Sequence, residues 1–342
     1  MVAEEIVMRA SATGTARYHA RHAAAVSADH VRRLGDLSLS SVGLGSYLAP
    51  ADDATDARYE AAVARSLALG ANVVDAAIVY RNQRSERVLG RALRAAAAAG
   101  IARDEIVVAS KAGFLGFDGD EPADVGAYFQ RTIVDRGLAG WDEIAGGWHC
   151  LAPRYLAERL ARSRENLGVA TVDVYYLHNP ETQLESVDRA TFARRMRAAF
   201  EVLEGARADG AIARYGVATW FGLRVAPDAR VHVDLMDLVA MAREVGGDRH
   251  GLEVVQLPLN QTLPEAAHVP TQRGRPVLEV ARDLGLYVMT SASIMQGKLA
   301  HDSNAACAAL EWTRTRPGVG TALVGTSRAD HVESNARVFR RG

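Results

Sequence analysis

The chain has 342 residues, of which 49% are hydrophobic and 24% charged, a balance typical of a soluble globular enzyme with a large core. Its formal net charge of -1 supplies no electrostatic footprint for nucleic acid or an anionic membrane, and no apolar run approaches the roughly 20 residues that cross a bilayer. The start lacks a secretory signal pattern and the two cysteines lack metal-ligand spacing, so we expect a cytoplasmic protein with reduced thiols and without membrane or nucleic-acid partners.

The N-terminal segment carries scattered alanine, arginine and histidine without a sustained hydrophobic period. We interpret residues 1–34 as an extension that is partly disordered or wraps the domain that follows. Residues 35–342 are expected to form a single catalytic domain. Within it, Leu37–Leu39 and Ser41–Leu44 are typical of short strands.

Helices and strands alternate from there to the end. Apolar residues on one helical face predict helices at Ala57–Leu69 and Ser85–Ala98, one beginning near Pro153, and one around Phe200. Apolar strands are predicted near residues 42, 73, 106, 172, 213, 253, 286 and 321. Eight strands alternating with helices over about 300 residues predict an α/β fold, the (β/α)8 TIM barrel, with a long insertion after the third strand. A doubly wound sheet also alternates, but Gly43–Tyr47 does not continue as a dinucleotide-binding fingerprint.

The interval 113–152, between Lys111 and Pro153, interrupts this alternation. A loop of about 40 residues inside a compact domain is usually functional, and its aromatic residues are not typical of disorder. We interpret it as a lid or a wall of the substrate site, with an oligomer contact as the alternative. The run Asp118–Glu121 contains calcium-binding residue types but lacks the spacing of a calcium loop.

Four polar residues lie at or just beyond the ends of successive buried strands. Asp75 ends one strand and Tyr80 follows it, Lys111 ends the next, and His178 ends the one after. The C-terminal rim of a parallel barrel is where catalytic groups collect. A tyrosine can protonate a developing alkoxide at neutral pH only if a nearby cation stabilises its phenolate, and a buried lysine needs a carboxylate partner. The structural alternative is that Asp75 caps the next turn and Tyr80 covers the edge of the core.

The order and spacing of Asp75, Tyr80, Lys111 and His178 resemble the catalytic tetrad of the aldo-keto reductase family. Further motifs fall where that family's pattern expects them: Gly43-Leu-Gly45, Ser85-Glu86 with Leu89–Leu93, Arg214–Val217, Gln256 with Asn260, and Gly325–Arg328 with Asn335. The resemblance covers the chain from about residue 35 to its end. Each motif is weak alone, and the ordered set is specific.

The resemblance implies an NAD(P)(H)-dependent oxidoreductase that transfers a hydride between nicotinamide and a carbonyl or alcohol substrate, such as an aldehyde, a ketone or a sugar-like molecule. It implies that Tyr80 is the general acid and base, that Lys111 stabilises its phenolate and pairs with Asp75, and that His178 orients the carbonyl. The nicotinamide supplies the difficult step, so no metal is expected. In the family a small hairpin closes the bottom of the barrel, and the segment 37–44 is the candidate for it.

By the same resemblance the expected cofactor is NADP(H), with NAD(H) as the alternative. The implied cofactor-binding residues follow several strand ends: Ser46, Thr219, Gln256, Ser291, Gly297, Gly325, Thr326, Ser327, Arg328, His331 and Asn335. Arg328 is expected to be the main contact of the 2′-phosphate, with His331 helping fully only when it is protonated. A strand-to-helix turn capped by Thr326 or Ser327 is a compatible structural role.

The nicotinamide side departs from the family pattern in two places. Ala218-Thr219 stands where the family usually has a Ser-Asn pair that holds the carboxamide. Thr219 and Gln256 are therefore expected to carry more of this recognition. Ser291 stands where a stacking aromatic residue is common, so the ring is expected to rest on Met289 or on the insertion.

Two other functions remain open: a cofactor-binding regulatory or sensor protein with negligible turnover, and a metal-dependent barrel hydrolase. The hydrolase is disfavoured because the rim shows no paired histidine cluster. The histidines outside the tetrad that we considered as metal ligands are expected at the surface or in loops: His149, His232, His250 and His268. After Tyr80, the side chains of Arg81, Gln83 and Arg84 either face a sugar-like or acidic substrate or lie at the surface.

Overall fold

A closed barrel of eight parallel strands alternating with helices forms the core of the structure. The structure, a computed structural model, describes residues 9–299 and 301–341. The barrel elements in chain order are β1 (Val42–Gly45), α1 (Asp53–Leu69), β2 (Val73–Asp75), α2 (Arg84–Ala98), β3 (Val107–Ala112), α3 (Pro153–Leu167), β4 (Val172–His178), α4 (Arg189–Ala208), β5 (Ile212–Ala218), α5 (Leu235–Gly246), β6 (Leu252–Pro258), α6 (Val277–Asp283), β7 (Tyr287–Ser291), α7 (Ser303–Arg314), β8 (Val319–Gly325) and α8 (Ala329–Ala336). The predicted (β/α)8 barrel is confirmed. Across the described residues, every helix is too short or too polar to cross a membrane.

The strand register brings the predicted catalytic residues to one rim. Asp75 pairs with Ala109 across β2 and β3, and His178 pairs with Ala218 across β4 and β5. Lys111 lies two residues beyond Ala109 on β3. Because all eight strands are parallel, these positions share the C-terminal face of the barrel.

Helix α1 begins four residues before the predicted start at Ala57. The Asp52 side chain caps it by accepting the Thr55 backbone N–H at 2.6 Å. The helix ends at Gly70, whose φ of 106° is left-handed and favours glycine. The start was missed because an Asp-Asp-Ala-Thr sequence has little apolar periodicity, although the aspartate is a good N-cap.

The interior of the barrel is filled by a separate apolar cluster that includes Val73, Val107, Val254 and Met289. The same cluster contains leucines of an antiparallel hairpin that pairs Val31–Leu34 with Leu37–Ser40: Leu34, Leu37 and Leu39. The hairpin therefore closes the N-terminal end of the barrel. It crosses the division that the sequence suggested between residues 34 and 35, and only its second strand lies in the predicted segment 37–44.

A helix at Ala12–His22 packs across the outside of this end. The Tyr18 hydroxyl donates to the Leu67 carbonyl at 2.5 Å. Arg17 pairs with Glu105 at 2.6 Å, and Arg21 also contacts Glu105. Residues 12–34 thus wrap the barrel, whereas the disorder expected for the extension falls partly on residues 1–8, which lie outside the described residues.

The insertion between β3 and α3 contains ordered local structure. A short helix at Val125–Phe129 continues into one π-helical turn at Gln130–Val134. An antiparallel pair follows, Ile144–Ala145 with His149–Cys150. We call this pair the insertion hairpin.

His30 links the N-terminal segment to the barrel. Its Nε2 lies 2.9 Å from the Gly70 carbonyl oxygen, its Nδ1 lies 3.0 Å from Ser41 Oγ, and its ring stacks on Phe339 at 3.9 Å. Complete burial lowers the pKa of His30 from 6.5 to about 3. As the pH falls, His30 is therefore protonated in the unfolded state before it is protonated in the folded state. The contribution of His30 to stability is complete above pH 6.5 and is lost as the pH falls toward 3.

Between pH 7.5 and 5.5 we expect His30 alone to remove about 1.4 kcal/mol from the free energy of unfolding. Urea unfolding of the wild type and of His30→Gln at both pH values measures this term, because the variant lacks the titrating ring. A control variant at the exposed His268 should keep the pH dependence of the wild type. The same slope in wild type and His30→Gln would contradict the assignment.

Candidate active site

A cavity of about 510 Å³ lies at the C-terminal end of the barrel. Asp75, Tyr80 and His178 line it, and Lys111 lies beneath them, bonded to Asp75. Six of the predicted cofactor-binding residues line the same cavity: Ser46, Thr219, Gln256, Ser291, Gly297 and Gly325. The structure thus brings the four tetrad positions and the nicotinamide-side positions together in one place.

The Lys111 ammonium group is fully buried and is held by two oxygens. Its Nζ lies 2.5 Å from Asp75 Oδ2 and 2.7 Å from the Ala76 carbonyl oxygen. The other Asp75 oxygen accepts from Gln256 Nε2 at 3.0 Å. Burial lowers the pKa of Lys111, and the carboxylate of Asp75 offsets part of this effect. The pair places a cation at the floor of the cavity in a setting of low polarity.

The Tyr80 ring lies directly beside this cation. Lys111 Nζ is 5.0 Å from the ring centroid, so the ammonium group faces the π system. The Tyr47 ring packs at 4.9 Å and the His178 ring at 5.7 Å. Tyr80 is half-buried because it lines the cavity, and this burial, with Asp75 and Tyr47 adding to it, raises the pKa of Tyr80 well above 10. The phenol is therefore protonated at neutral pH, which is the form that a proton donor needs.

A strained turn between β2 and α2 holds Tyr80 in place. Residues 81–83 have φ angles of 50, 55 and 70°, a left-handed conformation that costs about 1 kcal/mol or more for each residue with a Cβ. Arg81 offsets this cost because its Nε donates to the Pro50 carbonyl at 2.9 Å and its Nη2 pairs with Asp56 at 2.5 Å. Arg81, which lines the cavity beside Tyr80, thus supports Tyr80 through the turn that follows it.

The polar residues after Tyr80 support this turn, and of the two positions expected for them, facing a substrate or lying at the surface, Arg81 takes the first because it is buried and lines the cavity. Gln83 accepts from Asn166 Nδ2 at 3.0 Å, and Arg84 pairs with Asp56 at 2.9 Å. Neither Gln83 nor Arg84 lines the cavity. Arg81 does line the cavity, and although its Nε and Nη2 are engaged as described above, its Nη1 is buried without a hydrogen-bond partner among the described residues. Three left-handed residues in succession change the direction of the chain, which a local sequence pattern does not reveal.

His178 is the last residue of β4. The Phe114 ring meets its imidazole edge to face at 5.0 Å, and the Tyr80 ring lies on the cavity side. Within the described residues, His178 Nδ1 is buried without a hydrogen-bond partner. Burial, with Lys111 and His149 adding to it, lowers the pKa of His178 well below 6.5. The imidazole is therefore neutral and has one N–H to donate to a carbonyl oxygen.

The residues expected on the nicotinamide side differ in whether their side-chain hydrogen-bonding groups already have a partner. The Thr219 hydroxyl is buried and lacks a partner among the described residues. Gln256 Nε2 donates one hydrogen bond to Asp75, and the Ser46 hydroxyl donates to the Asp75 carbonyl at 2.9 Å. Ser46 therefore fixes the end of β2, while the Thr219 hydroxyl is available to a bound molecule.

The expectation that Met289 supports the nicotinamide ring is wrong. Met289 is fully buried in the barrel interior and does not line the cavity. In an alternating strand Met289 and Ser291 face the same side, but Met289 lies one layer deeper. The walls come instead from the loop after β7 and from the insertion: Ala292, Ser293, Ile294, Gln296, Phe114 and Trp148.

The residues at the start of α8 lie beyond this cavity. Arg328 is exposed and forms a two-pronged pair with Asp330, with Nε–Oδ1 at 3.0 Å and Nη2–Oδ2 at 2.5 Å. His331 and Ser327 are half-buried, and Asn335 is buried. Neither Thr326 nor Ser327 caps the helix, because the N-cap residue is Arg328 and it provides no side-chain cap. The Thr326 hydroxyl accepts the Arg328 backbone N–H at 3.2 Å and so shapes the turn before the helix.

The insertion supplies Phe114 and Trp148 to the cavity wall, and sequence reasoning missed the further aromatic residues Tyr47 and Trp220. Tyr47, Phe114, Trp148 and Trp220 all line it. Tyr47 and Trp148 are about half exposed, at 56% and 50%, so they form its rim. The available signal was an aromatic residue within a few positions of each strand end, which is weak because single aromatic residues in loops are common.

The expected surface or loop position of the other histidines is wrong for His149, which is buried in a short strand, whereas His232 lies in a loop although it is buried. His149 and His232 are buried, at 0% and 7% exposure. His149 Nε2 lies 2.8 Å from the His178 carbonyl oxygen, and His232 Nε2 lies 2.8 Å from that of Thr271. Over residues 9–299 and 301–341, no three His, Cys, Asp or Glu side chains come together as a metal site.

The model of the aldo/keto reductase family matches residues 41–240, a range that contains all four tetrad positions. The chain belongs to the aldo/keto reductase family. An uncharacterized oxidoreductase of Bacillus subtilis, YqkF, is 22% identical over 323 residues, which cover 89% of each chain. Family membership and this relative place the chain among the oxidoreductases.

Solved aldo/keto reductase structures share the fold. The enzyme from Klebsiella pneumoniae in complex with NADP and acetate superposes with a TM-score of 0.59 at 20% identity, over 90% of this chain and 89% of that chain. The glycerol dehydrogenase from Gluconobacter oxydans gives a TM-score of 0.62 at 18% identity, over 91% of this chain and 90% of that chain. These likenesses support the barrel and its topology.

Proposed function

We propose that this aldo/keto reductase uses NADP(H) to interconvert a carbonyl compound and its alcohol, with Tyr80 as the general acid and base. The observation that carries the proposal is the arrangement of Tyr80 and His178. Their rings lie 5.7 Å apart in one cavity, above a buried lysine–carboxylate pair. A protonated phenol and a neutral imidazole that converge on one space suit a polarised carbonyl oxygen.

The residues present fit a nicotinamide cofactor. Thr219 Oγ1 is a buried hydroxyl without a partner among the described residues, and such a group is usually satisfied by a ligand or water. The cavity continues from Tyr80 to Gly297 and Gly325, which leaves room beside the loops after β7 and β8. Thr219 and Gln256 would hold the carboxamide, and the start of α8 would receive the adenosine phosphate.

The residues of the chain then have distinct tasks. When bound, the reduced cofactor supplies the hydride to the carbonyl carbon. The Tyr80 hydroxyl donates its proton to the carbonyl oxygen as negative charge develops there, and in the reverse direction the phenolate takes the proton back. Lys111 stabilises that phenolate electrostatically, and Asp75 keeps Lys111 charged despite its burial. The neutral His178 donates its N–H to the same oxygen and fixes its position.

The preference for NADP(H) over NAD(H) rests on Arg328. The similar enzyme from Klebsiella pneumoniae was solved with NADP, and Arg328 is exposed at the N-terminus of α8. Its guanidinium fork suits a phosphate group, but Asp330 occupies that fork in this structure. A 2′-phosphate therefore has to displace an exposed ion pair, which is weak in water.

Arg328→Ala should weaken NADPH binding by roughly 10- to 100-fold and should change NADH binding little, because only NADPH carries the phosphate. Asp330→Asn is the matched variant, and it should tighten NADPH binding because it releases the Arg328 fork. Dissociation constants for both cofactors at two salt concentrations measure these effects, and the NADPH preference should weaken with salt. Equal losses for both cofactors in Arg328→Ala would mean that Arg328 only holds the loop.

A substrate screen tests the reaction itself. Aldehydes, ketones, sugars and polyols are each incubated with both cofactors in both oxidation states, and cofactor absorbance is followed. Turnover by the wild type, together with its loss in Tyr80→Phe, supports the proposal. Tight cofactor binding without turnover of any class would support the sensor function and would overturn the proposed reaction.

A further inference from the structure

The insertion hairpin is joined to the end of β3 by main-chain hydrogen bonds. Leu115 N–H donates to the Trp148 carbonyl at 2.8 Å, and Cys150 N–H donates to the Gly113 carbonyl at 2.7 Å. His149 lies between these two bonds, opposite Phe114. The hairpin therefore extends a barrel strand beyond the rim, and it places His149 beside the catalytic cavity.

His149 contacts the backbone of a tetrad residue. Its Nε2 lies 2.8 Å from the carbonyl oxygen of His178. The approach depends on Gly113, since a Cβ there would lie 2.6 Å from the His178 carbonyl oxygen and 2.9 Å from His149 Nε2. Only glycine at this position allows the two histidines to meet.

A chain of hydrogen bonds fixes which nitrogen of His149 carries the proton. Arg195 can only donate, and it contacts Gln183 Oε1 and, at 2.7 Å, the Asp142 carbonyl oxygen. Gln183 Oε1 is thereby the acceptor, so its NH2 group donates to His149 Nδ1 at 2.7 Å. His149 Nδ1 must then be unprotonated, and Nε2–H donates to the His178 carbonyl.

Phe114 connects the same two histidines through their rings. Its ring meets His149 at 4.9 Å and 88°, and it meets His178 at 5.0 Å and 83°. Both contacts are edge to face, which aromatic pairs prefer. The His178 backbone and its imidazole are thus both held from the insertion side.

We infer that His149 is a positioning residue for His178: it fixes the end of β4 so that the His178 imidazole points at the carbonyl oxygen of the substrate. The insertion hairpin is then a fixed part of this site, joined to the end of β3. This inference rests on the proposed function, since it assigns His149 a role in that reaction. A displacement of about 1 Å at a catalytic group is enough to cost on the order of 100-fold in rate.

Two substitutions of His149 separate the effect of its hydrogen-bond donor from the effect of its side-chain volume. His149→Phe keeps a ring and removes the donor, and it should lower kcat by about tenfold or more with little change in the dissociation constant of NADPH. His149→Gln keeps an N–H of similar reach and should recover most of kcat. Equal kcat values for the two variants, with equal losses of thermal stability, would overturn the inference.

A double-mutant cycle with His178→Ala distinguishes positioning from general support. If His149 acts through His178, His149→Phe should lower kcat by less than about twofold in the His178→Ala background, because the imidazole that His149 positions is absent there. The same tenfold loss in both backgrounds would overturn the inference.

Nitrogen-15 spectra of histidine-labelled protein test the geometry without any turnover. We expect His149 to be neutral and protonated at Nε2 from pH 5.5 to 8, and we expect His149→Phe to shift the His178 signals but not those of the distant His30. A His149 protonated at Nδ1, or unmoved His178 signals, would overturn the inference. If the wild type turned over no substrate, the proposed reaction would fail, and these spectra would still decide whether His149 positions His178.

Discussion

Tyr80→Phe should lower turnover by at least about 10²-fold, the usual scale for a positioned acid. The variant loses one oxygen atom and keeps the ring that packs against Tyr47, His178 and the Lys111 cation. Cofactor affinity and thermal stability should therefore stay close to those of the wild type. Steady-state rates, cofactor titration and a thermal melt on the same preparation measure all three.

Tyr47 supplies a matched control for this substitution. It is a second phenol that lines the same cavity, 4.9 Å from the Tyr80 ring, and 56% of it is exposed. Tyr47→Phe removes a hydroxyl that does not lie over Lys111, so it should keep most of the turnover. Similar losses of turnover in the two variants would mean that any hydroxyl in the cavity supports the reaction and that Tyr80 is not the specific proton donor.

Lys111→Met should cause the second large effect, on both chemistry and stability. Removing the cation raises the cost of forming the Tyr80 phenolate, so alcohol oxidation should slow and its pH optimum should move upward. The Asp75 carboxylate is also left buried without its ion-pair partner, which typically costs 3–5 kcal/mol. Initial rates across pH and urea unfolding test the two parts separately.

A double variant separates these two losses. In Lys111→Met with Asp75→Asn, no unpaired charge is buried, so most of the stability should return. Activity should not return, because the cation that stabilises the phenolate is still absent. A stable double variant with restored turnover and an unchanged pH profile would show that Lys111 serves only the fold.

The fold was predictable from sequence because its signals are local and repeated. Each barrel strand is an apolar run that follows a turn, and each strand near Val73, Val107 or Val172 falls where the pattern placed it. The proposed catalytic positions followed from the same pattern, since parallel strands bring their C-terminal ends to one rim. The resemblance to a family then supplied the roles that spacing alone could not assign.

Other parts of the site depend on contacts between distant segments, which no local pattern encodes. His149 was expected at the surface or in a loop, yet it is buried in a strand that pairs with residues 113–115, and its side chain meets the carbonyl of His178. Met289 and Ser291 share a face of one strand, and only the depth of the barrel layers separates them. The direction of the Arg81 side chain depends on left-handed backbone angles, which cannot be predicted where the sequence has no glycine.

The left-handed turn after Tyr80 also bears on how the enzyme could be altered in the laboratory. Its anchor is Asp56, a carboxylate on α1 that pairs with Arg81, Arg84 and Arg91 and does not line the catalytic cavity. A directed-evolution library restricted to cavity walls would leave this anchor untouched. Diversity at Asp56 would instead act on the placement of Tyr80, the proposed proton donor, so we expect substitutions on this outer helix to change turnover without touching the substrate.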